Sequence, residues 1–160
     1  MATVKLAYGT STALTCTLAN LGTGTARTSE AQDNSGGLFV DAMVTLKLCL
    51  LTGAATGNSN AVHVYFYGSE DGVNFTDNVT GTDAGLTLRS PHSLVGPHTI
   101  NFATATGAPV SVATIGSVAA YFDGTLPRKW GICVVNKTNT LLNTGTTMTA
   151  SWTPIYLTVA

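Results

Sequence analysis

The sequence predicts an all-β fold: an antiparallel two-sheet sandwich of about eight strands, with jelly-roll connections expected and a closed barrel as the alternative. Three observations predict it. Apolar residues recur with period two along most of the chain. Clusters of Gly, Pro, Asn and Asp separate those runs. No stretch sustains a helical period. The 160 residues suit one domain, set here at residues 1–160 with 1–8 as an N-terminal arm. A chain of this size holds a core without a metal or a disulfide.

The elements follow in order. Residues 12–21 form the first expected strand. The next, 38–51, places Val40, Ala42, Val44, Leu46, Leu48 and Leu50 in alternation with Asp41, Thr45 and Lys47, the mark of a half-buried strand. In 62–68, Val62, Val64 and Phe66 oppose His63, Tyr65 and Tyr67. Asp71-Gly72 then signals a tight turn, because glycine accepts φ > 0, so 62–68 and the residues after Gly72 read as a hairpin. A short piece at 86–88 and strands at 99–103 and 109–115 come next. The weak helix-like segment 112–121 is interrupted by Gly116. Trp130, Ile132 and Val134 alternate with Gly131, Cys133 and Val135, and both Trp130 and Trp152 fall in the apolar phase of strands. The last strand is 151–159. Pro154 lacks a ladder donor, so this strand is expected at an edge or with a bulge there. Turn signals at 35–37, 53–60, 96–97, 107–109, 123–124 and 136–145 separate these elements.

Only 9% of residues are charged, against about 25% in an average soluble protein. With a net charge of −1 and no basic cluster beyond Arg128-Lys129, a nucleic-acid partner is excluded. No run approaches the length of a membrane span, so no membrane partner is expected. Solubility rests on Thr, Ser, Asn and Gly, a surface that is cheap to bury against copies of itself or against partners. The opening residues lack the apolar core of a signal peptide, which predicts synthesis in a reducing cytoplasm. Cys16, Cys49 and Cys133 are odd in number and scattered, which fits small buried hydrophobes better than a disulfide framework. The sequons at Asn74, Asn78 and Asn136 have no secretory route to act in.

Glu70, Asp71, Asn74 and Asp77 cluster around the expected turn. Clustered oxygens suit calcium, but the spacing is not that of an EF-hand, and polar side chains in such turns cap backbone groups. His92 and His98 lie six apart between prolines with no third zinc ligand in sequence. No nucleophile elbow, zinc-protease or phosphate-loop motif is present. The reading is therefore a non-enzyme with no cofactor and no metal.

Several stretches carry a resemblance: AYGTSTALTCTLANL, AQDNSGGLFVDAMVTLKL, VYFYGSEDGVNFTD, TGTDAGLTL and FDGTLPRKWGICVVNKT. In this order, over about three quarters of the chain, the sequence resembles small β-rich virion structural proteins of tailed bacteriophages. Its motifs are turns and strands, not catalytic residues. The resemblance implies a virion component made in the host cytoplasm. We expect a capsid decoration or cement protein whose partners are the major capsid protein and copies of itself, as a homo-oligomer. The alternative is a tail or fibre module that binds a host surface glycan; a hydrolase would have only generic carboxylates behind it. The expected contact residues are Val4, Leu6 and Tyr8 of the arm, Pro154 of the last strand, and Glu70, Asp71, Asn74 and Asp77 of the turn.

Overall fold

The computed structural model describes residues 2–51, 61–89, 93–102, 110–144 and 148–159. They form β1 (Val4–Tyr8), β2 (Thr12–Ala13), β3 (Ala26–Thr28), β4 (Gln32–Asp33), β5 (Asp41–Cys49), β6 (Ala61–Ser69), β7 (Ala84–Leu86), β8 (Val95–Asn101), β9 (Val110–Ile115), a 3₁₀ turn (Ala119–Phe122), β10 (Lys129–Asn136) and β11 (Thr149–Val159). Sheet one runs β1-β11-β5-β9, with β2 also on β11; sheet two runs β7-β3-β10-β6-β8, with β4 also on β10. All pairings are antiparallel, and the two sheets make the expected sandwich. The strand order is compatible with jelly-roll connections.

The core between the sheets follows the alternation. Ala42, Val44, Leu46 and Leu48 of β5 meet Val62, Val64 and Phe66 of β6 and Trp130, Ile132 and Val134 of β10. Trp130 of sheet two and Trp152 of sheet one stand edge to face, with ring centroids 5.6 Å apart, a favoured aromatic geometry. Both indoles are core; Cys49 and Cys133 are buried elsewhere, and Cys16 is half-buried against the core. A second cluster lies on the far face of sheet two. There Tyr65, Tyr67, Cys133 and Val135 are covered by Phe75, Val79, Leu88 and Leu94. β6 and β10 are therefore buried on both faces, whereas β5 alternates buried and half-buried.

Several expectations change. The hairpin after β6 does not form: β6 pairs with β10 and β8. The segment after Gly72 is rich in Asn, Asp, Thr and Gly, so it lacks the apolar stripe that β10 offers. Only Thr12–Ala13 of 12–21 is strand; Leu14, Leu18 and Leu21, spaced by four and three, plug the core from irregular chain. The helix-like stretch is β9 followed by a 3₁₀ turn, with Ala119 N–H donating to Asp41 Oδ1 at 2.8 Å. The short strands β3 and β4 carry too few residues to show a period. Of the turn signals, 53–60 and 107–109 lie outside the described residues.

The strand with Pro154 is interior, not an edge: β11 has β1 and β2 on one side and β5 on the other. Gly9 N–H donates to Pro154 C=O at 2.8 Å. Pro154's missing donor thus faces the point where β1 ends. Tyr8 pairs with Ile155 and Thr12 with Trp152. Gly9, Thr10 and Ser11 therefore stand against Thr153 and Pro154 alone. The bulge sits in the partner strand, and it removes the need for the donor that proline lacks. A Cβ on Gly9 would come within 2.7 Å of the Pro154 ring, so glycine is required at this approach. Residues 4–8, expected as an arm, are the edge strand of sheet one, laid along β11 of their own chain.

Candidate functional site

The expected contact residues separate into two places and a buried remainder. At the end of β6, Asp71 organises the turn. Its Oδ1 accepts from Ser69 Oγ, Val73 N–H and Asn74 N–H at 2.9, 2.8 and 2.7 Å, and its Oδ2 accepts from Asn74 Nδ2 at 2.7 Å. The backbone N–H groups of Asn74 and Val73, then the side chains of Asn74 and Ser69, hold the Asp71 carboxyl well below the usual carboxylate range. Gly72 adopts φ +77°, as a tight turn requires. The carboxylate is thus occupied within its own loop, the arrangement of an Asx turn. Glu70 stays exposed beside it. Glu70 and Asn74 rim a hollow of about 370 Å³ whose walls are Phe75, Phe122 and Pro127.

Asp77, expected on the same surface, is turned inward. Its side chain is 1% exposed, Arg89 Nε lies 3.6 Å away, and neither carboxylate oxygen has a hydrogen-bond partner. Asp77 N–H donates to Ser93 Oγ at 2.8 Å, and its φ is +59°. Burial, with the Asp77 charge adding to it, pushes the Cys133 thiol up to about 12. Pro154 is buried as well. Neither residue is placed to touch a partner.

The second place is the outer face of sheet one. Val4, Leu6 and Tyr8 stand directly opposite Val159, Leu157 and Ile155. Directly opposed residues share a face, so the six make one apolar ribbon. Val4, Leu6, Tyr8, Leu157 and Val159 are all more than half exposed, up to 74% at Val159. Val110 and Val112 are exposed on the far edge strand, β9. The β11 half of the ribbon is legible as the odd residues of 155–159, a signal that sequence reading passed over in favour of Pro154.

Among the described residues no group of three or more His, Cys, Asp and Glu side chains is placed to hold a metal ion. His63 lies on β6, its imidazole lowered by burial and then by the Lys137 charge. His98 lies on β8, and His92 is outside the described residues. One polar cluster escaped sequence reading. Arg27 Nε donates to Asp83 Oδ1 at 2.6 Å, and Thr17 N–H and Oγ1 also donate to that carboxylate. Burial opposes ionisation of Asp83, but the Arg27 and Thr17 hydrogen bonds outweigh it and hold its carboxyl low. This clamp ties irregular residue 17 to sheet two and is structural.

Comparison with protein-family models, with curated proteins and with solved structures gives no match to this chain.

Proposed function

We propose that the chain is a non-enzymatic structural component of a virion, a decoration or cement protein that binds the major capsid protein and copies of itself and stabilises the head of a tailed phage. The particle context rests on the resemblance of its turn-and-strand stretches. The observation that carries the contact role is the bare ribbon on sheet one, Val4, Leu6, Tyr8, Leu157 and Val159. Contiguous exposed apolar area of this kind marks interaction surfaces. A surface with so little charge gives weak long-range steering, so specificity comes from shape and short-range contact.

The test is addition of purified protein to phage heads that lack this component, scored by co-sedimentation. The intact chain is expected to bind, and Leu157→Asp, which puts a charge on the ribbon without touching the core, is expected to abolish binding. Equal binding by both removes the ribbon from the reading. A second reading, a tail or fibre module for a surface glycan, draws on the hollow walled by Phe75, Phe122 and Pro127 with Glu70 and Asn74 at its rim. Binding to tails or to host glycans, with none to heads, favours it.

A further inference from the structure

The hydrogen bond from Gly9 N–H to Pro154 C=O fixes the phase of the β1–β11 ladder. In an antiparallel ladder alternate residues turn their backbone groups to the same side. Lys5, Ala7 and Gly9 therefore face β11, and Val4, Leu6 and Tyr8 aim their N–H and C=O groups away from it. No described strand lies beyond β1. The residues with outward backbone groups are the same ones whose side chains are exposed and apolar. Natural edges are blunted by proline, bulges or inward charges. The stretch Val4–Tyr8 has one such device, Lys5, and its side chain lies on the opposite face from the ribbon, across from Thr158.

We propose that β1 pairs antiparallel with β1 of a second copy of this chain, about a two-fold axis at Leu6. Leu6 of one copy then faces Leu6 of the other, and Val4 faces Tyr8, each as a pair whose backbone groups bond. Lys5 falls opposite Ala7, so no like charges meet. The contact is isologous and closed, and it needs no second surface. Across it the apolar ribbon of each copy continues into that of the other on one face. The β9 edge offers a poorer fit: a two-fold at Val112 sets Val110 against Thr114, whose hydroxyl is already shared with Thr45, so Val112 alone meets an apolar partner there. A five-residue strand paired over about 17 Å removes on the order of 500 Å² in total, below the roughly 1,200 Å² of a standard stable interface. The pair is therefore weak in dilute solution and fills where copies are held close together.

This inference does not depend on the virion reading, because purified protein alone tests it. Sedimentation velocity across a wide concentration range should show a reversible monomer–dimer equilibrium with a dissociation constant between micromolar and millimolar. Leu6→Asp, which sets two like charges face to face, should weaken it at least about tenfold. Leu6 is 63% exposed, so the variant should melt like the parent. Leu6→Cys should give a disulfide-linked dimer on oxidation, mapped by mass spectrometry to the two introduced thiols, since the two-fold brings them within bridging range. Val112→Cys on the far edge should not. A monomer at every concentration, open-ended growth instead of a dimer, or equal cross-linking from both cysteine variants overturns the proposal. Association that persists in Leu6→Asp also overturns it, and identifies some other face or partner.

Discussion

Sheet two turns Tyr65, Tyr67, Cys133 and Val135 outward and covers them with Phe75, Val79, Leu88 and Leu94 of its own chain. Sheet one turns Val4, Leu6, Tyr8, Leu157 and Val159 outward and leaves them bare. The difference is written in the strands. β6 and β10 are apolar in both phases and need two covers. β5 and the first half of β11 put Met43, Thr45, Lys47, Ser151 and Thr153 on the outer phase, and water suffices there. The outer phase turns apolar where β11 meets β1, and more briefly at Val110 and Val112 of β9. One outer face is thus closed by folding, and the other keeps an apolar strip that folding does not consume.

The largest expected effect separates the two faces directly. The Tyr67 ring packs on Gly131, which it pairs with, and its hydroxyl donates to Ser29 C=O at 2.6 Å. Tyr67→Ala should cost about 3–5 kcal/mol of stability, as other buried aromatic truncations do. Leu157→Ala should cost under about 0.5 kcal/mol, as a surface change does. Urea unfolding of the two variants measures the contrast, and similar losses would mean that sheet one's outer face is part of the folded core after all.

A middle-sized effect probes the cover itself. At Gly72 an added Cβ meets nothing closer than 3.7 Å, but φ is +77°. Gly72→Val should therefore lose roughly 1 kcal/mol or more from backbone strain alone. Gly85 in β7 has open space and no such φ, so Gly85→Val should be close to neutral. If thermal unfolding gives equal losses, the turn does not set the cover's position.

The smallest effect should have the opposite sign. Asp77 buries a carboxylate without a hydrogen bond, and its one ion-pair partner among the described residues, Arg89, is 64% exposed. Asp77→Asn keeps a residue that accepts positive φ and exchanges the buried carboxylate for a neutral amide, which costs less to desolvate, while Arg89 stays hydrated. A gain of up to about 1 kcal/mol is expected. A comparable loss in calorimetry would show that the Arg89 pair outweighs the burial cost.

Local rules were legible where they act alone. The alternation of β5 placed Ala42, Val44, Leu46 and Leu48 in the core, and Asp71-Gly72 announced the positive φ at Gly72. Choices between partners were not legible. Nothing near Asp71 says that β6 pairs with β10, sixty residues on, because register across a sheet is settled by competition among distant strands. Pro154 was read from its missing donor alone. The one-residue offset at Gly9, Thr10 and Ser11 that makes the donor unnecessary lies at the other end of the chain. Of the site, Val4, Leu6 and Tyr8 sit together on one face, while the carboxylate of Asp77 is turned inward, since burial depends on how a loop drapes over a sheet and composition does not state it.

The Trp130–Trp152 pair gives the molecule an optical gauge of its own halves. Each indole belongs to a different sheet, they meet at 5.6 Å, and neither ring nitrogen has a hydrogen-bond partner. Their emission belongs at the blue end of the tryptophan range while the sheets stay together. Lifting the cover from sheet two, or joining two copies at β1, leaves that colour unchanged, because neither event wets the space between the sheets. A red shift therefore reports separation of the halves and nothing milder, so assembly can be followed by mass and unfolding by light in a single sample.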